Sequence, residues 1–302
     1  MVSLKQIKNI QYYRITILRT IIQVISFILI FGGAFGIAAT FIVLPIMAPA
    51  GNPYTTVIGA WQLMELMLTI AIFPFLALAI ILIGSLLIGR TFCAWVCPFG
   101  LISDVVSYIG KRKRVTKATN NSMYKLSLFI ATIFLFIDFS IAYNQAIGHS
   151  IYSYFGDFYR EPSSIIEPTT ILFSLLFWYF YRGLYPKDLM DLGELLNYPW
   201  VFWFRVVILL LAILLNYYLP RWWCRWVCPL GGMMGIGSKY KVLKVYVDPK
   251  QCLGEKCGKC VKVCPMGVPI LDYIGKGISH PLCTSCLMCL DVCPTNAIRI
   301  KI

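Results

Sequence analysis

Four stretches of this sequence are apolar over lengths that allow a helix to cross a bilayer. They lie near residues 20–46, 66–89, 124–144 and 200–219. A helix needs about 20 apolar residues to span a hydrocarbon core of about 30 Å. Charged residues make up only 13% of the chain, against about 25% in soluble domains. These features exclude an ordinary soluble enzyme and a disordered chain, and they predict an integral membrane protein.

Two apolar segments need separate interpretation. The first stretch, Thr20 to Met47, is longer than a secretory signal region and has no small-residue cleavage site, which favours a retained anchor. Residues 170–185 are strongly apolar but short, and their aromatic cluster at 177–181 is typical of a membrane interface. A fifth span there would place Cys224 on the outer side of the membrane, away from the other motif cysteines. We therefore expect residues 170–185 to form an interfacial or re-entrant helix on the outer side.

The positions of lysine and arginine indicate an orientation. Of the 27 basic residues, 23 lie in residues 1–19, 90–125 and 221–302. The positive-inside rule therefore places both termini and the 90–123 loop in the cytoplasm, in a multi-pass protein of the inner membrane. This topology accounts for the net charge of +14. We expect the basic run 111–114 to face anionic lipid, and no nucleic-acid partner, because no reader motif accompanies the charge.

A motif of eleven residues occurs twice in the membrane half. Residues 90–100 (RTFCAWVCPFG) align with residues 221–231 (RWWCRWVCPLG), with seven identical positions at a constant offset of 131. Each copy stands at the cytoplasmic end of a predicted span. The repeat predicts four transmembrane helices in two pseudo-symmetric pairs, and internal repeats of this kind often place the functional site between the halves.

Both copies contain Cys-x3-Cys-Pro. Cysteines four residues apart lie on one face of a helix, and we expect the proline to end that helical turn. Two copies together supply four thiolates, which suit a soft metal or an iron–sulfur cluster. Disulfides are disfavoured on the reducing side of the membrane, whereas structural zinc and plain buried thiols remain alternatives. We predict one shared iron–sulfur or iron centre with these ligands: Cys93, Cys97, Cys224 and Cys228.

Residues 248–302 are polar and basic and hold the other eight cysteines. One run is Cys252-x4-Cys257-x2-Cys260-x3-Cys264-Pro, and the other is Cys283-x2-Cys286-x2-Cys289-x3-Cys293-Pro. The second run matches bacterial two-cluster ferredoxins without alteration, and the first has two extra residues. In those ferredoxins the cysteine before proline ligates the cluster of the other run.

Carried over to this chain, the ferredoxin pattern predicts two [4Fe–4S] clusters. The first cluster takes Cys252, Cys257, Cys260 and Cys293, and the second takes Cys283, Cys286, Cys289 and Cys264. The insert at 253–256 should only bulge the loop around the first cluster. A tandem zinc-binding repeat is the minority alternative. The sequence therefore divides into a membrane domain, 1–247, and an α+β ferredoxin-like domain, 248–302, whose flanking strands, 245–247 and 298–302, can pair.

Other electron carriers have no sequence signal. There is no Cys-x-x-Cys-His, so no c-type haem is expected. The two histidines, His149 and His280, lie outside the predicted spans, which excludes a b-type haem between paired histidines. No phosphate loop or dinucleotide fingerprint occurs. Electrons must therefore pass through clusters and through a carrier dissolved in the membrane or docked to the protein.

This order of parts resembles the NapH-type membrane polyferredoxins of periplasmic nitrate respiration. Those proteins are similar in having four spans, two Cys-x3-Cys-Pro motifs and a C-terminal two-cluster ferredoxin domain. The same core occurs in relatives linked to nitrous oxide reduction, methylamine oxidation and copper handling. The sequence shows neither the large flavin-binding domain nor the extra C-terminal domain of some of those relatives, which favours the NapH-like interpretation.

The resemblance implies electron transfer between a membrane quinone and a redox partner in an anaerobic respiratory chain. The quinone would be menaquinone or ubiquinone, and the partner an iron–sulfur protein or a cytochrome. The chain would then be the quinol-oxidising subunit of an oxidoreductase complex. Ionisable residues in or near spans are the candidates for quinone binding and proton transfer: Glu65, Asp138, His149 and Arg205. Asp138 can instead be a structural partner of Arg205. Two other hypotheses are a ferredoxin-fed relay without a quinone site and an iron–sulfur assembly or regulatory protein.

Overall fold

Helices dominate the protein, as predicted, in the computed structural model. It describes residues 14–32, 42–49, 56–111, 113, 115–149, 158, 160–173 and 200–301. The α-helices in this part are α1 (Arg14–Ile30), α2 (Ala60–Thr69), α3 (Phe75–Leu87), α4 (Thr91–Trp95), α5 (Pro98–Ile109), α6 (Lys117–Ala146), α7 (Trp200–Tyr218), α8 (Pro229–Ser238), α9 (Lys259–Val263) and α10 (Met288–Asp291). The strands are β1 (Ile42–Leu44), β2 (Val57–Gly59), β3 (Lys244–Val247) and β4 (Ile298–Lys301). Shorter turns are the 3-10 turns Pro162–Ile165, Gly254–Lys256 and Ile270–Tyr273 and the π-helical turn Trp223–Val227.

Helix α6 is long and apolar enough to cross a membrane, and it is the one described helix that meets both conditions. Its 30 residues span about 45 Å at the usual rise of an α-helix. Thr116 caps its beginning, because the side chain accepts a hydrogen bond from the backbone N–H of Thr119. Because α6 is the one described helix that meets both conditions, the arrangement of four transmembrane helices stays a prediction.

Two of the predicted apolar stretches are not continuous helices, so that part of the prediction is wrong. Residues 66–89 are divided between α2 and α3, with Ala71 at φ 59° between them. Pro74 precedes α3, and proline disfavours a helical residue before it and cannot donate its own backbone hydrogen bond. In the stretch 20–46, α1 ends at Ile30, and β1 pairs in parallel with β2.

The two copies of the repeated motif pack reciprocally. Helix α5, which follows the first copy, packs against α7, which precedes the second; α8 follows the second copy and packs against α3, which precedes the first. Backbone hydrogen bonds close both pairs at corresponding places: the N–H of Lys113 donates to Tyr218 O, and the N–H of Leu243 donates to Leu87 O. The described residues thus have the approximate two-fold relation that the repeat predicts.

The outward faces of four long helices are apolar. On α1, α3, α6 and α7 large side chains lie exposed, such as Ile25 (51%), Phe75 (73%), Phe136 (74%) and Leu210 (60%). A contiguous apolar surface of this extent on a soluble protein would mark an interaction with another protein or with a membrane. The predicted interfacial helix at 170–185 is described only to Phe173, and residues 168–173 are helical; its remainder lies outside the described residues.

The C-terminal part forms a small α+β unit. Strands β3 and β4 pair antiparallel, with Val247 opposite Ile298, which confirms the predicted pairing of the flanking strands. Beneath them lies an apolar core that includes Val245, Met266 and Ile278. Asn120 on α6 joins this unit to the second motif copy, because its amide donates to Met266 O and its carbonyl oxygen accepts from Arg225.

Candidate metal centres

The first predicted ferredoxin site is a cavity of about 360 Å³. It is lined by the four cysteines assigned to the first cluster: Cys252, Cys257, Cys260 and Cys293. The turn Gly254–Lys256, which holds most of the sequence insert, bulges at its rim, and the backbone N–H of Gly254 lies 3.4 Å from Cys252 Sγ. All four cysteines are partly exposed.

The second predicted site is a cavity of about 390 Å³. It is lined by the other assigned set: Cys264, Cys283, Cys286 and Cys289. Helix α9 explains how the runs cross. Cys260 lies within this helix and faces the first cavity, while Cys264 directly follows it and faces the second. Helix α10 connects the same two sites in the opposite sense: Cys289 lies within it and faces the second cavity, while Cys293, two residues after its end, faces the first.

The third cavity, of about 340 Å³, lies between the two copies of the repeated motif. Its lining includes Cys93, Cys97, Cys224 and Cys228, all buried. No single helix carries both cysteines of a copy, contrary to expectation. Cys93 is within α4 and Cys224 within the π-helical turn, while Cys97 and Cys228 are the N-caps of α5 and α8. Each motif proline stands at the start of the following helix, where its missing N–H costs nothing.

The first arginine of each motif copy reaches into the other copy. Arg90 donates to the backbone carbonyl of Cys224, and Arg221 donates to that of Cys93. The glycine that ends each copy leaves the space for this crossing. A Cβ at Gly231 would collide with the Arg90 guanidinium, and one at Gly100 would lie 2.6 Å from Cys93 O.

Asp104 breaks the symmetry of this arginine pair. Its carboxylate accepts from Arg221 Nε at 2.7 Å and from a second Arg221 nitrogen at 2.6 Å, and it also pairs with Arg19. Burial alone would raise the pKa of Asp104, but the charge and hydrogen bonds of Arg221 outweigh it and lower the pKa below its ordinary value. At the equivalent place in the second copy stands Gly235, so Arg90 gains no such partner.

The donor sets and volumes of the three cavities suit iron–sulfur clusters. Each has four cysteines, and the third cavity is close in volume to the two ferredoxin ones. Among the described residues, no three Cys, His, Asp or Glu side chains converge closely enough to hold a single metal ion. A [4Fe–4S] cluster takes one thiolate per iron, so its ligands surround a cage rather than a point.

Burial keeps one thiol of the third cavity, Cys224, and one of the second, Cys264, protonated until a metal binds. It raises the pKa of Cys224 to about 11 and that of Cys264 to about 12. A bound cluster therefore has to displace these protons, because only thiolates ligate iron.

The second and third cavities are joined by direct hydrogen bonds. Trp95 Nε1, between the two cysteines of the first motif copy, donates to Ser285 O at 3.1 Å. Ser285 lies between Cys283 and Cys286. Arg90, which lines the third cavity, also donates to Pro281 O at 3.4 Å. The second ferredoxin site thus lies beside the twin-motif site.

Family models and relatives agree with these sites. A model described as "4Fe-4S binding domain" matches residues 70–117 and 199–244, which contain the two motif copies, and one described as "4Fe-4S dicluster domain" matches residues 251–298. The ferredoxin of Methanothermococcus thermolithotrophicus is 40% identical over 60 residues, which are 19% of this chain and 97% of that protein.

Longer relatives cover most of this chain. The putative electron transport protein YccM of Escherichia coli (strain K12) is 26% identical over 72% of this chain and 53% of its own length. The ferredoxin-type protein NapH of the same organism is 24% identical over 70% of this chain and 61% of its own length. Over most of its length the chain is similar to the NapH-type family of ferredoxin-type proteins. It spans about half to three-fifths of these two relatives, and no solved structure matches it.

Three of the four ionisable candidates lie around the turn Pro162–Ile165. Ser163 donates to Glu65 from its hydroxyl at 2.8 Å and from its backbone N–H at 3.3 Å. Arg205 reaches Ser164 O at 3.5 Å. Asp138 is fully buried on α6, which packs on α2 and its Glu65. Asp138 is not bonded to Arg205, and neither of its oxygens has a hydrogen-bond partner among the described residues.

The fourth candidate, His149, lies apart. It is exposed just beyond the end of α6 and is not brought to Glu65 and Asp138. The other histidine has a structural position. His280 Nδ1 accepts from the N–H of Leu282, and its Nε2 lies 3.2 Å from Asn121 Oδ1. Burial, and then nearby cations, lower the pKa of His280 to about 4, so it is neutral at physiological pH.

Several charged residues at these sites were not predicted from the sequence. Arg90 and Arg221 had a signal, since they open both copies of the repeat. Asp104 and Lys241 had none, because each stands at a single position without a spacing pattern. Lys241 is completely buried and contacts a cysteine of the second ferredoxin site.

Proposed function

We propose that this chain is a membrane electron-transfer protein that couples the quinone pool to a redox partner through three iron–sulfur clusters. The observation that carries the proposal is the presence of three cavities, each lined by four cysteines, of which two are hydrogen-bonded to each other through Trp95 and Ser285. Similarity to YccM, a putative electron transport protein, and to NapH, a ferredoxin-type protein, supports the same role.

A membrane position is supported by the outer faces of the helices. The exposed apolar side chains of α1, α3, α6 and α7 would contact lipid, and α6 is long enough to span the bilayer. The excess of basic residues in 90–125 and 221–302 places the motif copies and the ferredoxin-like domain on the cytoplasmic side. In this proposal residues 1–247 form the membrane domain and residues 248–302 the cytoplasmic one.

The protein's own residues determine how the clusters are held. Bound [4Fe–4S] clusters supply one-electron carriers. The eight ferredoxin cysteines hold two of them, and the four twin-motif cysteines hold the third inside the membrane-domain core. Arg90, which lines the third site and has no carboxylate partner among the described residues, provides positive charge there that favours an anionic group. The partly exposed first site is the position at which a soluble redox partner can approach.

The quinone site is assigned to the region around the turn Pro162–Ile165. Quinol oxidation releases protons, and Glu65 and Asp138 are buried carboxyl groups that can accept them. Ser163 orients Glu65 through two hydrogen bonds, and Arg205 lies near the same turn. His149 is not part of this group, because it lies exposed beyond α6.

Anaerobic reduction by a quinol tests the proposal. The full chain in lipid nanodiscs is mixed with a short-chain menaquinol, and the reduced clusters are followed by EPR. We expect reduction to occur, and Asp138→Asn or Glu65→Gln to slow it at least about tenfold. Asp272→Asn, which makes the same chemical change on the exposed surface of the ferredoxin-like domain, should leave the rate unchanged. Intact clusters that no quinol reduces would contradict the proposal.

A relay that is fed by a soluble donor is the second candidate function. The exposed Leu253 and the partly exposed cysteines at the first site favour it, since they leave that site open to a docking protein. In that case a reduced ferredoxin would reduce the clusters, and the menaquinol would not.

A further inference from the structure

Lys241 has a buried ammonium group at the second ferredoxin site. The residue is 0% exposed. Its Nζ lies 3.5 Å from Cys283 Sγ and 2.8 Å from Ser285 Oγ. Cys283 is one of the four cysteines around this cavity, so the ammonium points at a cluster ligand.

The membrane domain positions Lys241. After α8 the chain runs along the end of α3, where the N–H groups of Val242 and Leu243 donate to Leu86 O and Leu87 O. These bonds hold the backbone directly after Lys241 against α3, and the Lys241 side chain is buried. Gly89, at φ 69°, leaves room for its side chain, since a Cβ there would lie 2.9 Å from Lys241 Cδ.

No carboxylate neutralises Lys241 within the part of the chain that the structure describes. The ion pairs found there join Arg19 and Arg221 to Asp104, and Lys117 to Asp272. A buried charge without a partner is strongly unfavourable. The partner offered to Lys241 is the thiolate of Cys283, which becomes anionic when it binds iron.

Lys241 also makes the two ferredoxin sites unequal. One backbone contact is the same at both sites. The N–H of Val268 lies 3.4 Å from Cys264 Sγ, and 29 residues later the N–H of Ala297 lies 3.3 Å from Cys293 Sγ. The first cysteines differ. Cys252 accepts from the backbone N–H of Gly254, whereas Cys283 accepts from a charged ammonium.

We propose that Lys241 raises the reduction potential of the second ferredoxin cluster above that of the first, so that an electron favours the site beside the twin motif. The inference rests on the proposed function, in that the cysteines must hold [4Fe–4S] clusters. One electron is added to the cluster by an external reductant, and no covalent bond is made or broken. The fixed positive charge of Lys241 stabilises the extra negative charge, because hydrogen bonds and nearby charge tune cluster potentials.

An EPR-monitored redox titration of the full chain tests this inference. In Lys241→Met, which keeps much of the length but removes the charge, we expect the reduction equilibrium of one ferredoxin cluster to shift at least about tenfold toward the oxidised form. That is about 59 mV for a one-electron couple. Lys241→Arg should retain most of the potential. Lys239→Met removes an exposed charge two residues away and should change nothing.

The outcomes separate this inference from the proposed function. If the unsubstituted chain holds no [4Fe–4S] clusters, the proposed function fails. If the clusters assemble fully and Lys241→Met titrates like the unsubstituted chain, only the role of Lys241 is overturned.

A second measurement has its deciding result in the unsubstituted chain, so it does not depend on how Lys241→Met folds. The unsubstituted chain is labelled with lysine that carries nitrogen-15 at Nζ, and the reduced clusters are examined by ENDOR. We expect a nitrogen hyperfine coupling on one ferredoxin cluster, and the label should give no coupling in Lys241→Arg. Absence of the coupling in the unsubstituted chain would overturn the inference.

Discussion

Arg221 forms a two-point ion pair with Asp104, at 2.7 and 2.6 Å, while its guanidinium also donates to Cys93 O. This pair ties the second motif copy to α5 of the first. Arg90, the equivalent residue in the first copy, has no carboxylate partner among the described residues and instead reaches the ferredoxin-like domain at Pro281 O. The repeat is therefore symmetric in its cysteines and asymmetric in its charges.

Asp104→Asn should destabilise the protein. The substitution keeps the shape of the side chain but leaves Arg221, which is 0% exposed, without its counter-charge. Breaking a buried ion pair costs about 3 kcal/mol or more. Thermal unfolding of the full chain in detergent measures the loss. Asp272→Asn removes one partner of the exposed pair with Lys117 and should not change the unfolding temperature measurably.

Acid pH should remove the contribution of Asp104 to the stability of the folded protein. Its pKa in the folded protein lies below the ordinary value of 3.8, so the unfolded chain takes up its proton first as the pH falls. The stability contributed by Asp104 is therefore fully present above the ordinary value and is lost as the pH falls through the folded one. The difference in unfolding temperature between the unsubstituted chain and Asp104→Asn should be constant from pH 6 to pH 8 and shrink below about pH 4. A difference that grows on acidification would contradict this assignment.

Cys97→Ser and Cys228→Ser should each remove the same iron. If one centre is shared by the two motif copies, either substitution lowers the iron content from about twelve to about eight atoms per chain, and the double variant loses no more. Iron and acid-labile sulfide assays on the purified chain measure this. Cys257→Ser, at the first ferredoxin site, should lower iron additively with either. Full iron content in Cys97→Ser would exclude the shared centre.

Trp95→Phe should loosen the contact between the second and third sites. The variant keeps an aromatic ring but loses the hydrogen bond to Ser285 O, which contributes about 1 kcal/mol. Hydrogen exchange at residues 283–287 should accelerate about fivefold. Trp222→Phe is the matched control, because Trp222 Nε1 donates to Ala212 O within the membrane half. If Trp95→Phe and Trp222→Phe changed the hydrogen-exchange rates of residues 283–287 equally, the hydrogen bond from Trp95 would not be what holds the two sites together.

Residue patterns along the chain predicted which segments are strands better than they predicted where helices are interrupted. The pairing of the strands around residues 245–247 and 298–302 followed from alternation, and the structure confirms it. The break between α2 and α3 was overlooked because mean hydropathy is insensitive to one proline and one residue with positive φ. The helix assumed through Cys93 and Cys97 was wrong for a related reason: the proline begins the next helix rather than ending a turn.

The sequence by itself determined which residues belong together. Cysteine spacing, a repeat at a constant offset and the bacterial ferredoxin pattern can all be recognised along the chain, and together they predicted the sets of four that line the three cavities. Only the tertiary structure decided what surrounds those sets. Asp104 reaches Arg221 from 117 positions away, and the buried Lys241, whose following backbone is held against α3, reaches Cys283. Such contacts depend on how the helices pack in space, and this packing cannot be predicted from the spacing of residues along the chain.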